Sequence, residues 1–377
     1  MIATLTALAL AVQQPSVPEY RPRDGDERGL WMAVDEAERE VRTSGFVVRD
    51  AALNAYVREV LCRAVGADRC GAARIYIVRT PFFNASMAPN GMMQLWTGLL
   101  LRARNEAQLA AVLGHEFAHF ERRHQLRGFR DARARTDAMA WLSFLPYGTG
   151  ALAQVGQIGG YFANSRDMER EADIDGLSAM ARGGYAPGEA ARIWGQLRAE
   201  QDATAVERRH RSRRDRGGGF FASHPGSGER MTYLAAAADA APPGGTTRAA
   251  EYRAALAPWW AALIDDQIKL NDFGGTEYLL AGLARGGGWT SELLYARGEL
   301  YRVRARPGDM AAAAGFYRQA LAAGDAPVEA YRGLGLALLR DGAADAARAA
   351  RAALAQYVAA RPDAGDRATI ATLAGVE

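Results

Sequence analysis

The chain has 377 residues, 49% of them apolar and 24% charged, and a net charge of +3. That is enough to bury a sizeable core and to divide into two domains. A charge so close to balance gives no global field for nucleic acid, so no nucleic-acid partner is expected.

The apolar run Ile2 to Val12 carries no charge and is eleven residues long. It is too short to span a bilayer and has the length of an export signal. Small residues before Gln13 offer a cleavage point, although the usual basic start is missing. A signal peptide over 1–14 and a periplasmic or secreted location are expected, with a misassigned start or a buried N-terminal helix as the alternative.

Residues 28–64 carry helical periodicity, with Leu30, Val34, Ala37 and Val41 on one face and Leu53, Val57, Val60 and Leu61 after a break at "TSG". Cys62 and Cys70 are the only cysteines. They read as a disulfide in an exported protein and as buried thiols in a cytosolic one. "ARIYIVRT" reads as a strand ended by Pro81, and Met92–Trp96 as a second short strand after the turn signal Pro89-Asn90-Gly91. From Asn105 to about Arg127 the helical pattern returns.

Between Asp137 and Arg166 no residue is charged, but Pro146, five glycines, Gln154, Gln157 and Asn164 interrupt the run. A helical hairpin over the active site, touching lipid at most peripherally, fits better than a transmembrane helix. The basic run from 206 to 219 reads as a solvated loop, and "APPGGTT" as a linker within 241–250. Beyond it, "LYARGELY" and "YRGLGLAL" align at an offset of 37 residues, pairing Gly298 with Gly335. The pattern resembles tetratricopeptide repeats over 251–377 and suggests a protein partner.

The chemistry concentrates in "GHEFAHFERRHQ". His115 and His119 stand four apart, so one helical face carries both imidazoles toward a common ion. Glu116 beside them can act on a water bound to that ion without being a ligand, the arrangement of a zinc metalloprotease. His124 is set aside as third ligand, because a continuing helix turns it away from the His115/His119 face. Downstream, "NSRDMEREADIDG" presents Glu169 and Asp173 four apart. Glu169 suits the third ligand position and Asp173 the orientation of a ligand histidine, whereas Glu171 reads as a surface charge and His210 as a bystander.

"NASMAPNGMMQLWTGLLLRARNEAQLAAVLGHEFAHFERRH", "SRDMEREADIDG" and "SHPGSGER" together resemble the HtpX/CAAX-prenyl-protease family of zinc metallopeptidases. The likeness is greatest to its periplasmic members with a tetratricopeptide tail. The resemblance implies an α+β gluzincin-type domain over 15–240 followed by an all-α tetratricopeptide-like domain. It implies one Zn2+ held by His115, His119 and Glu169, Glu116 as base and Asp173 as a supporting carboxylate. It makes Met92, Met93, Gln94, Leu95 and Trp96 the edge strand that takes an extended polypeptide substrate. His224 is then a reversible fourth ligand or a donor to the tetrahedral intermediate; otherwise it caps the next helix. Arg230 supports the same loop or the oxyanion. The expected function is a zinc endopeptidase for unfolded or misassembled envelope proteins; the alternative is a tetratricopeptide scaffold or chaperone with a latent or structural zinc site.

Overall fold

A computed structural model describes residues 21–134, 165–212, 227–342 and 346–376. The expected signal peptide, nearly all of the charge-free segment, part of the basic run and His224 lie outside the described residues. The described chain is mostly helical, with one three-stranded sheet.

Helix α1 (Gly25–Thr43) starts where Asp24 accepts the Glu27 amide, and Asp26 and Glu27 sit at its positive end. Its stripe of Leu30, Val34 and Val41 is buried, as the periodicity predicts. Helix α2 (Ala51–Val65), capped by Asp50, buries Leu53, Val57, Val60 and Leu61. The sequence left Cys62 and Cys70 open; they form a disulfide that ties the end of α2 to the turn before the sheet.

The sheet comprises β1 (Arg74–Val78), β2 (Ala85–Met87) and β3 (Met92–Trp96), in the order β1-β3-β2. Strand β3 runs parallel to β1 and antiparallel to β2. This corrects the expectation that Met92, Met93, Gln94, Leu95 and Trp96 form an edge strand. All five are buried and paired with β1, and Met93, Gln94 and Leu95 are paired with β2 as well. A strand apolar on both faces belongs in the interior of a sheet. The edges fall to β1, whose outer side is met by the segment around Val47, and to the three-residue β2, too short to show any period.

Helix α3 (Thr97–Arg102) leads into α4 (Glu106–Glu121), which runs through the core: every residue from Glu106 to Phe120 is buried. Asn105 caps α4 by accepting the Gln108 amide. Around it lie α5 (His124–Ala134), α6 (Arg166–Arg182), α7 (Glu189–Glu207) and α8 (Ser227–Ala240). The segment read as a linker is tied to this core. The Thr247 carbonyl accepts the Ala107 amide at 3.2 Å, and Arg248 pairs with Glu106 at 2.8 Å, so the connection itself closes the start of α4.

Eight helices follow: α9 (Ala249–Leu256), α10 (Trp260–Ile268), α11 (Phe273–Ala284), α12 (Ser291–Arg304), α13 (Asp309–Ala322), α14 (Glu329–Asp341), α15 (Ala346–Ala360) and α16 (Arg367–Ala374). One hydrophobic cluster runs from Val48 through α4 to Leu300, so α9 to α12 share the core of the N-terminal half. A second begins at Met310 and is built largely of alanine around Tyr317. Gly298 and Gly333 lie against the Tyr317 ring, and Gly335 lies against Leu354. The 37-residue offset that pairs Gly298 with Gly335 therefore also pairs the large side chains that cover them.

Candidate active site

The site forms where α4 crosses α6. A Cβ at Gly176 would lie 2.7 Å from the His115 nitrogen and 3.0 Å from the Gly114 carbonyl carbon. Only glycine allows this approach of two backbones. Glu169, Asp173 and Gly176 share one face of α6 at i, i+4 and i+7, so the contact at Gly176 draws both carboxylates toward the histidines. Ser165 starts α6 by accepting the Met168 amide.

His115, His119 and Glu169 are all buried and converge, with one ligand atom from each lying within 4.8 Å of the others. The two Nε2 atoms are 3.0 Å apart, and Glu169 oxygens lie 3.6 Å from His115 Nε2 and 3.4 Å from His119 Nε2. A tetrahedral zinc shell with bonds near 2.0–2.1 Å has donors about 3.3 Å apart. The donor set therefore fits a small divalent cation with nitrogen and carboxylate ligands.

The other ring nitrogen of each histidine is engaged as well. His115 Nδ1 lies 2.9 Å from Asp173 Oδ1. Arg230 donates to both Asp173 oxygens, from Nη2 at 2.6 Å and Nε at 2.8 Å, and Tyr233 donates its hydroxyl to Oδ2. The Arg230 guanidinium stacks 3.9 Å over the Trp194 ring and also approaches Glu169, at 3.4 Å. Burial alone would push the Asp173 carboxyl up, but Arg230 and His115 outweigh it and hold the group well below the ordinary carboxylate range. Burial also lowers His115 to about 3, against the pull of Asp173, so its ring is neutral and able to ligate.

His119 has a counterpart that the sequence reading discarded. Helix α4 ends at Glu121, and Arg123 takes a left-handed conformation (φ 55°), held by an ion pair with the buried Glu27 at 2.5 Å. The helix does not continue, and His124 swings back beneath the metal face. Its Nδ1 lies 2.8 Å from His119 Nδ1, and its Nε2 lies 3.1 Å from Glu171 Oε2. His124 is fully buried, and burial lowers it to about 4, so the ring is neutral. With Glu171 accepting from Nε2, His124 accepts at Nδ1 the proton of His119 Nδ1 and leaves His119 Nε2 to the cation. The paired arginines before His124 were the available signal, since basic residues favour a helix C-terminus.

Glu116 is buried beside the histidines, and burial pushes its carboxyl up to about 8. The Met87 backbone amide on β2 opposes the same shift, bringing the sheet edge to this carboxyl. Asn84 and Ala88 pair inward with Trp96 and Met92, so Ala85 and Met87 turn their backbone groups to the outer edge. The Met87 carbonyl there accepts from Gln125 Nε2 at 2.8 Å.

A buried HExxH helix crossed by a helix carrying a third carboxylate is a metallopeptidase arrangement, and the profile of peptidase family M48 matches residues 48–238. The chain belongs to peptidase family M48. That family is one of metallopeptidases, as the sequence resemblance implied. This M48 chain is 26% identical over 209 residues to a putative beta-barrel assembly-enhancing protease of Vibrio cholerae, covering 48% of this chain and 43% of that protein. It is 28% identical over 217 residues to the beta-barrel assembly-enhancing protease of Escherichia coli, covering 50% and 42%. It is 31% identical over 155 residues to the mitochondrial metalloendopeptidase OMA1 of Schizosaccharomyces pombe, covering 39% and 44%. The aligned part spans less than half the length of each of these relatives. No described helix of this M48 protein is long and apolar enough to cross a membrane.

Proposed function

We propose that this protein is a zinc-dependent endopeptidase that cuts unfolded or misassembled cell-envelope polypeptides. The reading rests on the convergence of His115, His119 and Glu169 with both Nδ1 atoms already engaged. In it, His115, His119 and Glu169 hold the ion; Asp173, itself held by Arg230, orients His115, and His124 with Glu171 orients His119. Bound there, zinc supplies Lewis-acid chemistry, polarising a peptide carbonyl and acidifying water.

Glu116 takes a proton from the attacking water and returns it to the leaving amine. Its burial beside the histidines places the carboxylate where one group can both accept and release the proton. The outward backbone of Ala85 on β2 receives the substrate as an added strand, in place of the interior β3. His224 acts on the same site, either as a reversible fourth ligand or as a donor to the tetrahedral intermediate. Replacing it with alanine raises basal cleavage in the first case and lowers turnover in the second.

Residues 15–240 form the peptidase domain and 251–377 a tetratricopeptide-like domain that engages a protein partner. The 37-residue recurrence of glycine and covering side chain supports a repeat. The Cys62–Cys70 disulfide supports an oxidising, periplasmic or secreted location. Relatives named as beta-barrel assembly-enhancing proteases support an envelope substrate. The deciding experiment compares casein cleavage by the zinc-loaded protein and its Glu116→Gln variant. The variant should keep its zinc and lose about 10²–10⁴-fold in rate. Equal cleavage by the two proteins, or none by either even with His224 replaced, rejects the reading.

A further inference from the structure

Apart from the metal site, the molecule holds a cavity of about 480 Å³. It lies between Arg104, which follows α3, and helices α9 to α12, and no residue of the metal site lines it. Its volume is that of a small-ligand pocket. Tyr252, Trp260, Ile264, Leu283 and Leu293 form apolar walls, and Arg104, Arg253 and Arg285 bring three guanidinium groups to it.

Two of these cations converge. A Cβ at Gly282 would lie 2.7 Å from Arg104 Nη2 and 3.2 Å from Arg285 Nη2, so the absence of a side chain there lets both guanidinium groups occupy the same corner. Arg253 Nη1 approaches the neighbouring Gly286. Arg104 and Arg285 each lie over the ring of Tyr278, and the like charge of Arg285 acts on Arg104 more strongly than the Glu189 carboxylate does. Like charges gathered in one corner raise each other's cost, and a bound anion relieves it. The amino end of α12, with Thr290 at its cap, also borders the cavity and adds its positive dipole end. Glu292 is the one acid among the lining residues, and burial beside Asp325 pushes its carboxyl up.

We propose that this cavity binds the C-terminal carboxylate of a polypeptide whose last side chain is apolar. The planar forks of Arg104 and Arg285 match a carboxylate, and the walls formed by Trp260, Ile264 and Leu283 take the side chain next to it. The choice of a polypeptide over another apolar acid rests on the endopeptidase reading above: every cut such an enzyme makes, and every chain it meets, presents this group. The cavity then holds a chain end while the metal site works elsewhere on the chain.

The test uses the full-length Glu116→Gln protein, so that binding is read without cleavage and a failure of the peptidase reading leaves the assay intact. Fluorescence anisotropy follows a short labelled peptide ending in leucine, as free acid and as amide. The acid should bind about tenfold or more tightly than the amide. Arg285→Gln and Arg253→Gln should each weaken the acid and leave the amide unchanged, with Arg285→Lys retaining part of the affinity. Both positions are exposed, and a thermal melt of each variant shows whether it folds. Equal binding of acid and amide overturns the proposal, as does wild-type affinity in the two glutamine variants. Binding of dodecanoate with no binding of the peptide assigns the cavity to a fatty acid and overturns it too.

Discussion

At the crossing of α4 and α6, Gly176 lies against the backbone of His115 and Gly114. In the C-terminal half, Gly298 and Gly333 lie against the side-chain ring of Tyr317. Both contacts bring helices close by omitting a side chain, but they gather different things. The first buries Glu169, Asp173, Arg230, His115 and His119 together; the second encloses alanines, leucines and one tyrosine. Burying charge is costly unless each group is paired, and here Asp173 is compensated by Arg230, Tyr233 and His115. Such a cluster holds donors in one geometry. The C-terminal contact, made of apolar surface, contributes stability alone.

Breaking the proposed ligand set gives the largest effect. In Glu169→Ala the donors fall to two imidazoles, and bound metal measured by elemental analysis should fall from about one per chain to a small fraction. Cleavage should fall with it, while the helical circular dichroism of the protein stays. Full metal occupancy in this variant would show that the ion sits elsewhere. Gly176→Ala comes next, because the new methyl meets backbone that cannot rotate away. It should destabilise the protein by about 3 kcal/mol in urea unfolding and weaken metal binding in the same variant. An unchanged midpoint would mean that the crossing is not set by this glycine.

How much of this was legible in the sequence depended on periodicity. The stripes of α1 and α2, the strands β1 and β3 and the helix bearing HEFAH all carry a pattern several residues long, and each was read close to where it lies. Glu169 and Asp173 were legible because four-residue spacing on one helix needs no knowledge of its partner. Three features with no period were missed. Strand β2 has three residues, and its loss sent the edge assignment to β3. The turn at Arg122 and Arg123 depends on a distant ion pair with Glu27, and it decides whether His124 faces the site. Gly176 looks like an ordinary helix glycine until the neighbouring helix is known.

His124→Ala sharpens the comparison within the metal site itself. It leaves all three donors and removes the acceptor from His119 Nδ1, so metal affinity by chelator competition should fall about 10–100-fold. Asp173→Asn does the same on the His115 side. Metal affinity equal to wild type in the His124 variant would make that side chain a packing residue only.

The smallest effect is expected at the other end of the comparison. In Gly333→Ala the methyl meets the Tyr317 ring near Cζ, on the ring that Gly298 also touches. Alanine gains up to about 1 kcal/mol over glycine inside a helix, and overpacking typically costs about 1–3 kcal/mol. The ring is fully buried and its hydroxyl is held by Glu299, so it has little room to yield, and the balance should be a loss of about 1 kcal/mol. Because the strain falls on the apolar cluster around Tyr317, metal affinity and the cleavage of a short peptide should match wild type. A loss of metal binding in this variant would show that the two regions are energetically coupled, and the division between a site held by paired charge and a support held by small residues would fail.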